Sequence, residues 1–119
     1  MKFYLLLFVL SLKMGRAARR NPVFRQFIRD KQLKFTIKDS RDKKGRQYVF
    51  SKGKIFSSTA IDGCDAAMVW CDGDTAFKAM ASGNDEAVVA ALTEKKLTIE
   101  GDFREFMWFA RALDLMTKA

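Results

Sequence analysis

The chain has 119 residues, 22 Lys+Arg against 14 Asp+Glu for a net charge of +8, and contains no His, two Cys and one Pro. At this length it makes one small domain, and with 49% hydrophobic and 13% aromatic residues, eleven of them Phe, it should bury its own core. Without an imidazole there is no Ser/His/Asp or Cys/His nucleophilic system, no His metal ligand and no imidazole acid or base.

The charge is unevenly placed. Residues 1–60 hold 16 Lys+Arg and three Asp, a net of +13, whereas residues 61–119 hold six Lys+Arg and eleven Asp+Glu, a net of −5. A basic half joined to a mildly acidic half points to an anionic partner, either an acidic lipid surface or nucleic acid.

The N-terminus runs from Lys2 into an apolar stretch, Phe3 to Leu12, followed by Lys13, Arg16, Arg19 and Arg20. As a helix such a stretch reaches only about 15 Å, half the hydrocarbon core of a bilayer, so it is no transmembrane span. A secretory signal peptide would match the charge and length, but Lys13 and Arg16 crowd the place where a cleavage site needs small neutral residues. The stretch therefore reads as a helix that docks on the protein body or lies in a membrane interface. In the second case Phe3, Leu6 and Leu10 insert while Lys13, Arg16, Arg19 and Arg20 meet anionic head groups. Asn21-Pro22 starts a second helix, with Asn21 as N-cap, Pro22 at the first helical position and Val23, Phe24, Phe27 and Ile28 as its apolar stripe. Residues 1–31 are thus an apolar and basic helical segment ahead of a compact domain, 32–119.

From Leu33 the period changes to two: Leu33, Phe35 and Ile37 alternate with Lys34, Thr36 and Lys38, the pattern of a strand with one wet face. Asp39 to Arg46 is a charged turn, and further strands over 47–51 and 55–59 complete an antiparallel meander. Residues 64–71 form a fourth strand, apolar on both faces and so central or covered on both sides. Asp72-Gly73-Asp74 opens a helix stopped by Ser82-Gly83, Asn84-Asp85-Glu86 caps another over 87–92, and Leu97-Thr98-Ile99 is a last strand. The final helix runs from Phe103 to about Met116, with Phe103, Phe106, Met107, Ala110 and Leu113 as the expected buried stripe. Arg104, Trp108, Arg111 and Leu115 follow another side of it, where Trp108 either covers a neighbour or sits at a membrane interface.

Two Cys without CxxC spacing read as free thiols, with no structural zinc and no disulfide framework. The carboxylates at 72, 74, 85, 86 and 102 stand where helix N-termini favour negative charge, so they read as caps. No phosphate-cradling glycine motif or metal-ligand cluster is legible, and the sequence assigns no catalytic residue, metal or cofactor.

The segment from Cys64-Asp65 through Val69-Trp70-Cys71-Asp72-Gly73-Asp74, then Ala81-Ser82-Gly83-Asn84-Asp85-Glu86, then Leu97-Thr98-Ile99-Glu100-Gly101-Asp102, resembles the lipid-transfer domains of the sterol carrier protein type two (SCP2) family. The resemblance spans Leu33 to Met116 and is that of a bacterial stand-alone member. It implies an α/β fold of the α+β type, with a mainly antiparallel five-stranded sheet covered by helices around an apolar tunnel for a lipid. The N-terminal run lies outside the family's general pattern. Six Met and eleven Phe would suit a tunnel lining that has to accommodate and release an irregular chain. The lining expected from the helices is Phe77, Met80, Leu92, Phe103, Phe106, Met107 and Leu113, and from the sheet Phe35, Ile37, Met68, Trp70 and Ile99.

The leading functional reading is a non-enzymatic protein that binds a fatty acyl, phospholipid or isoprenoid-quinone type lipid and transfers or presents it. It would act in the cytoplasm, peripherally on the inner face of an anionic membrane, with a lipid-using enzyme as a protein partner. A scaffold whose apolar groove holds a partner helix would use the same lining. A nucleic-acid-binding module ranks behind: Lys34, Thr36 and Lys38 would give a basic sheet face and Tyr48, Phe50 and Phe56 stacking rings, but no ribonucleoprotein signature accompanies them.

Overall fold

The computed structural model describes residues 2–82 and 85–117. In chain order it contains α1 (Lys2–Arg20), α2 (Pro22–Ile28), β1 (Leu33–Asp39), β2 (Gly45–Ser51), β3 (Lys54–Ser58), β4 (Ala66–Trp70), α3 (Gly73–Ala81), α4 (Asp85–Thr93), β5 (Leu97–Gly101) and α5 (Phe103–Thr117). The expected stop at Ser82-Gly83 and cap at Asn84 fall partly outside the described residues.

The five strands form one sheet in the order β3-β2-β1-β4-β5. The meander β1-β2-β3 pairs antiparallel, as the alternation and short turns predict, and β5 pairs antiparallel with β4. β4 is an interior strand between β1 and β5, in keeping with its lack of a polar face, but it runs parallel to β1. This pairing follows from the path of the chain, which leaves β3 at one edge and crosses the sheet to reach the far side of β1. The crossing segment is fastened on the way: Gln47 Nε2 donates to Asp62 O (2.9 Å), Asp65 N to Lys34 O (2.8 Å) and Lys34 N to Asp65 Oδ2 (2.8 Å).

β2 starts at Gly45, two residues before its expected start. Gly45 pairs with Lys38, and a Cβ there would collide with the Ile37 carbonyl. Gly101 ends β5 at φ +84°, a region that residues other than glycine rarely occupy, and a Cβ would meet the Asp65 carbonyl.

Helix α1 packs against the body through Phe3, Leu7, Met14 and Ala17, all members of the same core cluster as the sheet residues. Two tyrosines fix its position. Tyr48, fully buried on β2, donates its hydroxyl to Leu7 O (2.7 Å), and Tyr4 donates to Asp39 Oδ2 (2.8 Å) at the end of β1. Asn21 joins three helices: Oδ1 accepts from Val23 N and Phe24 N (both 3.1 Å), capping α2, while Nδ2 donates to Leu115 O in the last turns of α5 (3.0 Å).

Both junctions can be tested by substitution. Asn21→Ala should lower unfolding free energy by about 2 kcal/mol, combining a lost cap with a carbonyl left unpaired, at unchanged m-value in urea. Asn21→Ser, which caps without reaching Leu115, should recover about 1 kcal/mol of that loss; equal losses in both variants would place the energy in the α5 contact alone.

At Tyr48 the phenol is held above the usual tyrosine range by burial, partly offset by Arg46. Above about pH 10 the unfolded chain gives up this proton while the folded protein keeps it, so the neutral phenol's contribution is full below pH 10 and is lost as pH rises. Tyr48→Phe should cost about 1 kcal/mol at neutral pH, and the gap between wild type and variant should shrink above pH 10 in denaturant titrations. A gap independent of pH would mean that Tyr48 ionises in the folded protein as in the unfolded one.

Candidate functional site

Strand registry sorts the side chains to two faces. On β1 and β4 the pairs Phe35–Ala66, Ile37–Met68 and Asp39–Trp70 lie side by side, and β5 adds Ile99 beside Met68 and Leu97 beside Trp70. This is the helix-covered face, because the Phe35 ring stacks on Phe109 of α5 with centroids 4.1 Å apart and planes 15° off parallel. Tyr48 and Phe50 on β2 bring two more rings to Phe109 at 5.9 and 6.0 Å. The result is an apolar layer between sheet and helices.

Most of the expected lining converges there. Phe35, Ile37 and Trp70 are wholly buried, Met68 and Phe106 nearly so, and Phe77, Met80, Leu92, Ile99 and Leu113 pack partly buried against the same cluster. Two expected members do not: Phe103 and Met107 are 50% and 58% exposed. The buried stripe of α5 is Phe106, Phe109 and Ala112, with Ala110 exposed, so the helix is rotated from the expected setting. Phe109 is the residue that the sequence reading missed. Its three-residue spacing from Phe106 and Ala112 was the available signal, masked by equally apolar Phe103 and Met107 one step round the helix.

One polar atom in this layer differs from the rest. Trp70 is fully buried and its indole Nε1 has no hydrogen-bond partner. Its neighbours in burial are satisfied: Asp39 accepts from Tyr4 and, through Oδ1, from Asp42 N (2.9 Å), Gln47 donates to Thr36 and Asp62, and Asn21 is engaged as described. A buried N–H without an acceptor costs about 1–3 kcal/mol, so the open Trp70 donor weighs against the stability of the layer.

On the outer surface Lys13, Arg16, Arg19 and Arg20 are exposed, and Leu6 and Leu10 are partly buried. Phe3 is buried against the core and so cannot be an outward contact; the apolar residues that α1 turns to solvent are Leu5, Phe8 and Leu12. Trp108 is sandwiched. It stacks on Phe27 of α2 (5.0 Å), meets Phe50 edge-on (4.9 Å) and carries Lys31 Nζ 5.0 Å over its ring. No helix among the described residues is long and apolar enough to cross a membrane.

The basic sheet face loses two of its stacking rings. Lys34, Thr36 and Lys38 alternate with the helix-facing residues of β1, whereas Tyr48 and Phe50 point to the helices, leaving only Phe56 of the three on the lysine side. The carboxylates act as caps: Asp72 Oδ1 accepts from Thr75 N (2.7 Å) and Asp102 Oδ1 from Arg104 N (2.9 Å). Each is held below the usual carboxylate range, Asp72 by the Thr75 amide and Asp102 by the Arg104 side chain. Cys64 and Cys71 are free thiols, and no group of three His, Cys, Asp or Glu side chains comes together among the described residues.

No family model matches the sequence, and no curated protein matches it. Solved structures do match the fold. A protein described as "UbiJ-SCP2 Ubiquinone synthesis protein" superposes with a TM-score of 0.71 at 14% identity, over 97% of this chain and 93% of that one, so the match takes in α1 and α2 as well as the sheet. The conserved hypothetical protein TT1886 from Thermus thermophilus, whose description suggests a sterol carrier protein, matches at 0.54 and 12% identity over 91% of this chain and 81% of that one. The sec-alkylsulfatase Pisa1 from Pseudomonas sp. matches at 0.53 and 9% identity over 76% of this chain but only 14% of its own, a segment of a much larger enzyme. At these identities the likeness is one of architecture: the chain has an SCP2-like fold, a mostly antiparallel five-stranded sheet with its helices closing an aromatic layer and α1 built into the core.

Proposed function

We propose that the chain is a non-enzymatic lipid-binding protein that accepts an acyl or isoprenoid-quinone type lipid between the sheet and α5 and transfers or presents it at a membrane surface. The observation that carries this reading is the near full-length likeness to "UbiJ-SCP2 Ubiquinone synthesis protein", whose description names a lipid-soluble quinone. The interior supports it. An entering chain would replace ring-on-ring contacts around Phe109 and lie against Met68 and Met80, whose thioethers adapt to irregular shapes. The unpaired Trp70 indole would donate to a quinone, carbonyl or carboxyl oxygen of the ligand.

Membrane docking is supported by the outer face of α1. Leu5, Phe8 and Leu12 are solvent-facing on a helix that contains no carboxylate and ends in Lys13, Arg16, Arg19 and Arg20, the combination that favours an anionic interface.

The test begins with native mass spectrometry of the full-length protein and extraction of any lipid that co-purifies. Binding is then titrated with two fluorescent probes, a prenylated quinone analogue and an alkyl chain lacking oxygen. Wild type should take up both. Trp70→Phe keeps an aromatic filler but deletes the donor; it should weaken the quinone probe about 5- to 10-fold and leave the alkyl probe unchanged, corresponding to one net hydrogen bond of about 1 kcal/mol. If no lipid co-purifies and neither probe enters wild type, lipid binding is overturned and the apolar layer becomes a groove for a partner helix.

A further inference from the structure

On the surface beside α1, a cleft of about 340 Å³ opens between the first turns of the helix and the β1–β2 turn, floored by Leu7 and walled by Tyr4, Lys43, Lys44, Arg46 and Thr59. Ligand clefts span roughly 300–1,000 Å³, so this one has room for a phosphorylated head group but not for a lipid chain as well.

Its charge is predominantly of one sign. Lys43, Lys44 and Arg46 form no ion pair with a carboxylate among the described residues, whose salt bridges involve Lys31, Lys38, Lys96, Arg104 and Arg111. Two acids share the turn. Asp39 is 1% exposed, with one oxygen on the Tyr4 hydroxyl and the other on the Asp42 amide, so it is spent inside the fold. Asp42 is exposed, and its carboxylate also faces the Tyr4 hydroxyl at the cleft wall; Arg41, Lys43 and Lys44 flank it in sequence and outnumber it.

Arg46 links this cleft to the outward face of α1. Its Nη1 donates to Ser57 Oγ (2.9 Å), and its guanidinium lies 5.3 Å over the ring of Phe8, which is 46% exposed next to Leu5 and Leu12. A surface that buries those three apolar side chains therefore meets Arg46 at their edge. A guanidinium offers a planar fork matched to phosphate oxygens, and two neighbouring ammonium groups add point charge.

We propose that the cleft is a phosphate site for the head group of an anionic membrane phospholipid, occupied when Leu5, Phe8 and Leu12 enter the bilayer interface. The inference rests on the membrane-docking part of the reading above and names the lipid class that the docked protein holds. The head group sits among Lys43, Lys44 and Arg46 while the acyl chains stay in the leaflet, separate from any lipid carried between the sheet and α5.

The experiment is flotation of the full-length protein with vesicles of phosphatidylcholine alone and with phosphatidylglycerol added. Wild type should float only with the second. Each surface cation near an anionic membrane contributes a factor of about five, so Lys43→Gln/Lys44→Gln should weaken binding about 25-fold. Lys95→Gln/Lys96→Gln removes the same charge at the turn between α4 and β5 and should change binding less than about threefold. Equal losses in the two double variants would reduce the effect to net charge and overturn the site. Inorganic phosphate, followed through the amide resonances of residues 43–46, separates the remaining source. If phosphate shifts them while Lys43→Gln/Lys44→Gln leaves flotation unchanged, the cleft is a free-anion site and the membrane assignment fails. A wild type that takes up the lipid probes yet ignores both vesicles overturns this inference and leaves lipid binding intact; one that floats but takes up no probe does the reverse.

Discussion

The stacking of Phe35 on Phe109, two wholly buried rings with centroids 4.1 Å apart, fixes how α5 lies on the sheet. With Phe109 seated among Phe35, Tyr48 and Phe50, the setting of the helix follows: Phe106 and Ala112, three residues to either side, go inward, and Phe103 and Met107 go out. The same rotation carries Trp108 to the flank, where Phe27 closes over it and ties α2 to α5. Truncating a core Phe costs about 3–5 kcal/mol, a large share of the stability of a domain this size. The layer that a lipid would have to open is therefore also the layer that holds the protein together.

Helix α1 is constrained differently. Its first three turns are apolar nearly all round, so hydrophobic burial alone does not decide which side faces in. Polar contacts decide it. Tyr48 donates to a carbonyl in the second turn of the helix and Tyr4 reaches the buried Asp39, and together these set Phe3, Leu7 and Met14 inward. What is left outside is a second apolar face, Leu5, Phe8 and Leu12, on the same helix.

These constraints explain which parts of the fold were legible in the sequence. The meander was, because Leu33, Phe35 and Ile37 alternate with polar residues and the turns are short. The interior place of β4 was, because it has no polar face, and so were the caps at Asn21, Asp72 and Asp102. The parallel pairing of β1 with β4 was not, since it depends on the side to which the segment after β3 crosses, and no local pattern records that choice. The rotation of α5 and of α1 was not legible for one shared reason. Each helix offers two overlapping apolar stripes, and the choice between them is made by rings and hydroxyls that come from β1 and β2. The open donor on Trp70 is likewise invisible in sequence, because it is defined by what fails to reach it.

The charge asymmetry acquires its meaning from the same set of contacts. The carboxylates of the second half are largely occupied locally: Asp72 and Asp102 cap α3 and α5, Glu105 pairs with Lys31 at 2.6 Å and Glu100 with Lys38 at 3.5 Å. They neutralise cations near α2 and the sheet but do not extend to the C-terminal turns of α1 or to Lys43, Lys44 and Arg46. The positive charge of the first half therefore survives folding in two places that lie beside the exposed apolar residues of α1. Electrostatic attraction acts over about 10 Å at moderate salt, while apolar insertion acts only at contact. An encounter with an anionic surface would be guided by the cations and then held by Leu5, Phe8 and Leu12, and it would present to that surface the side of the protein on which α1 covers the aromatic layer.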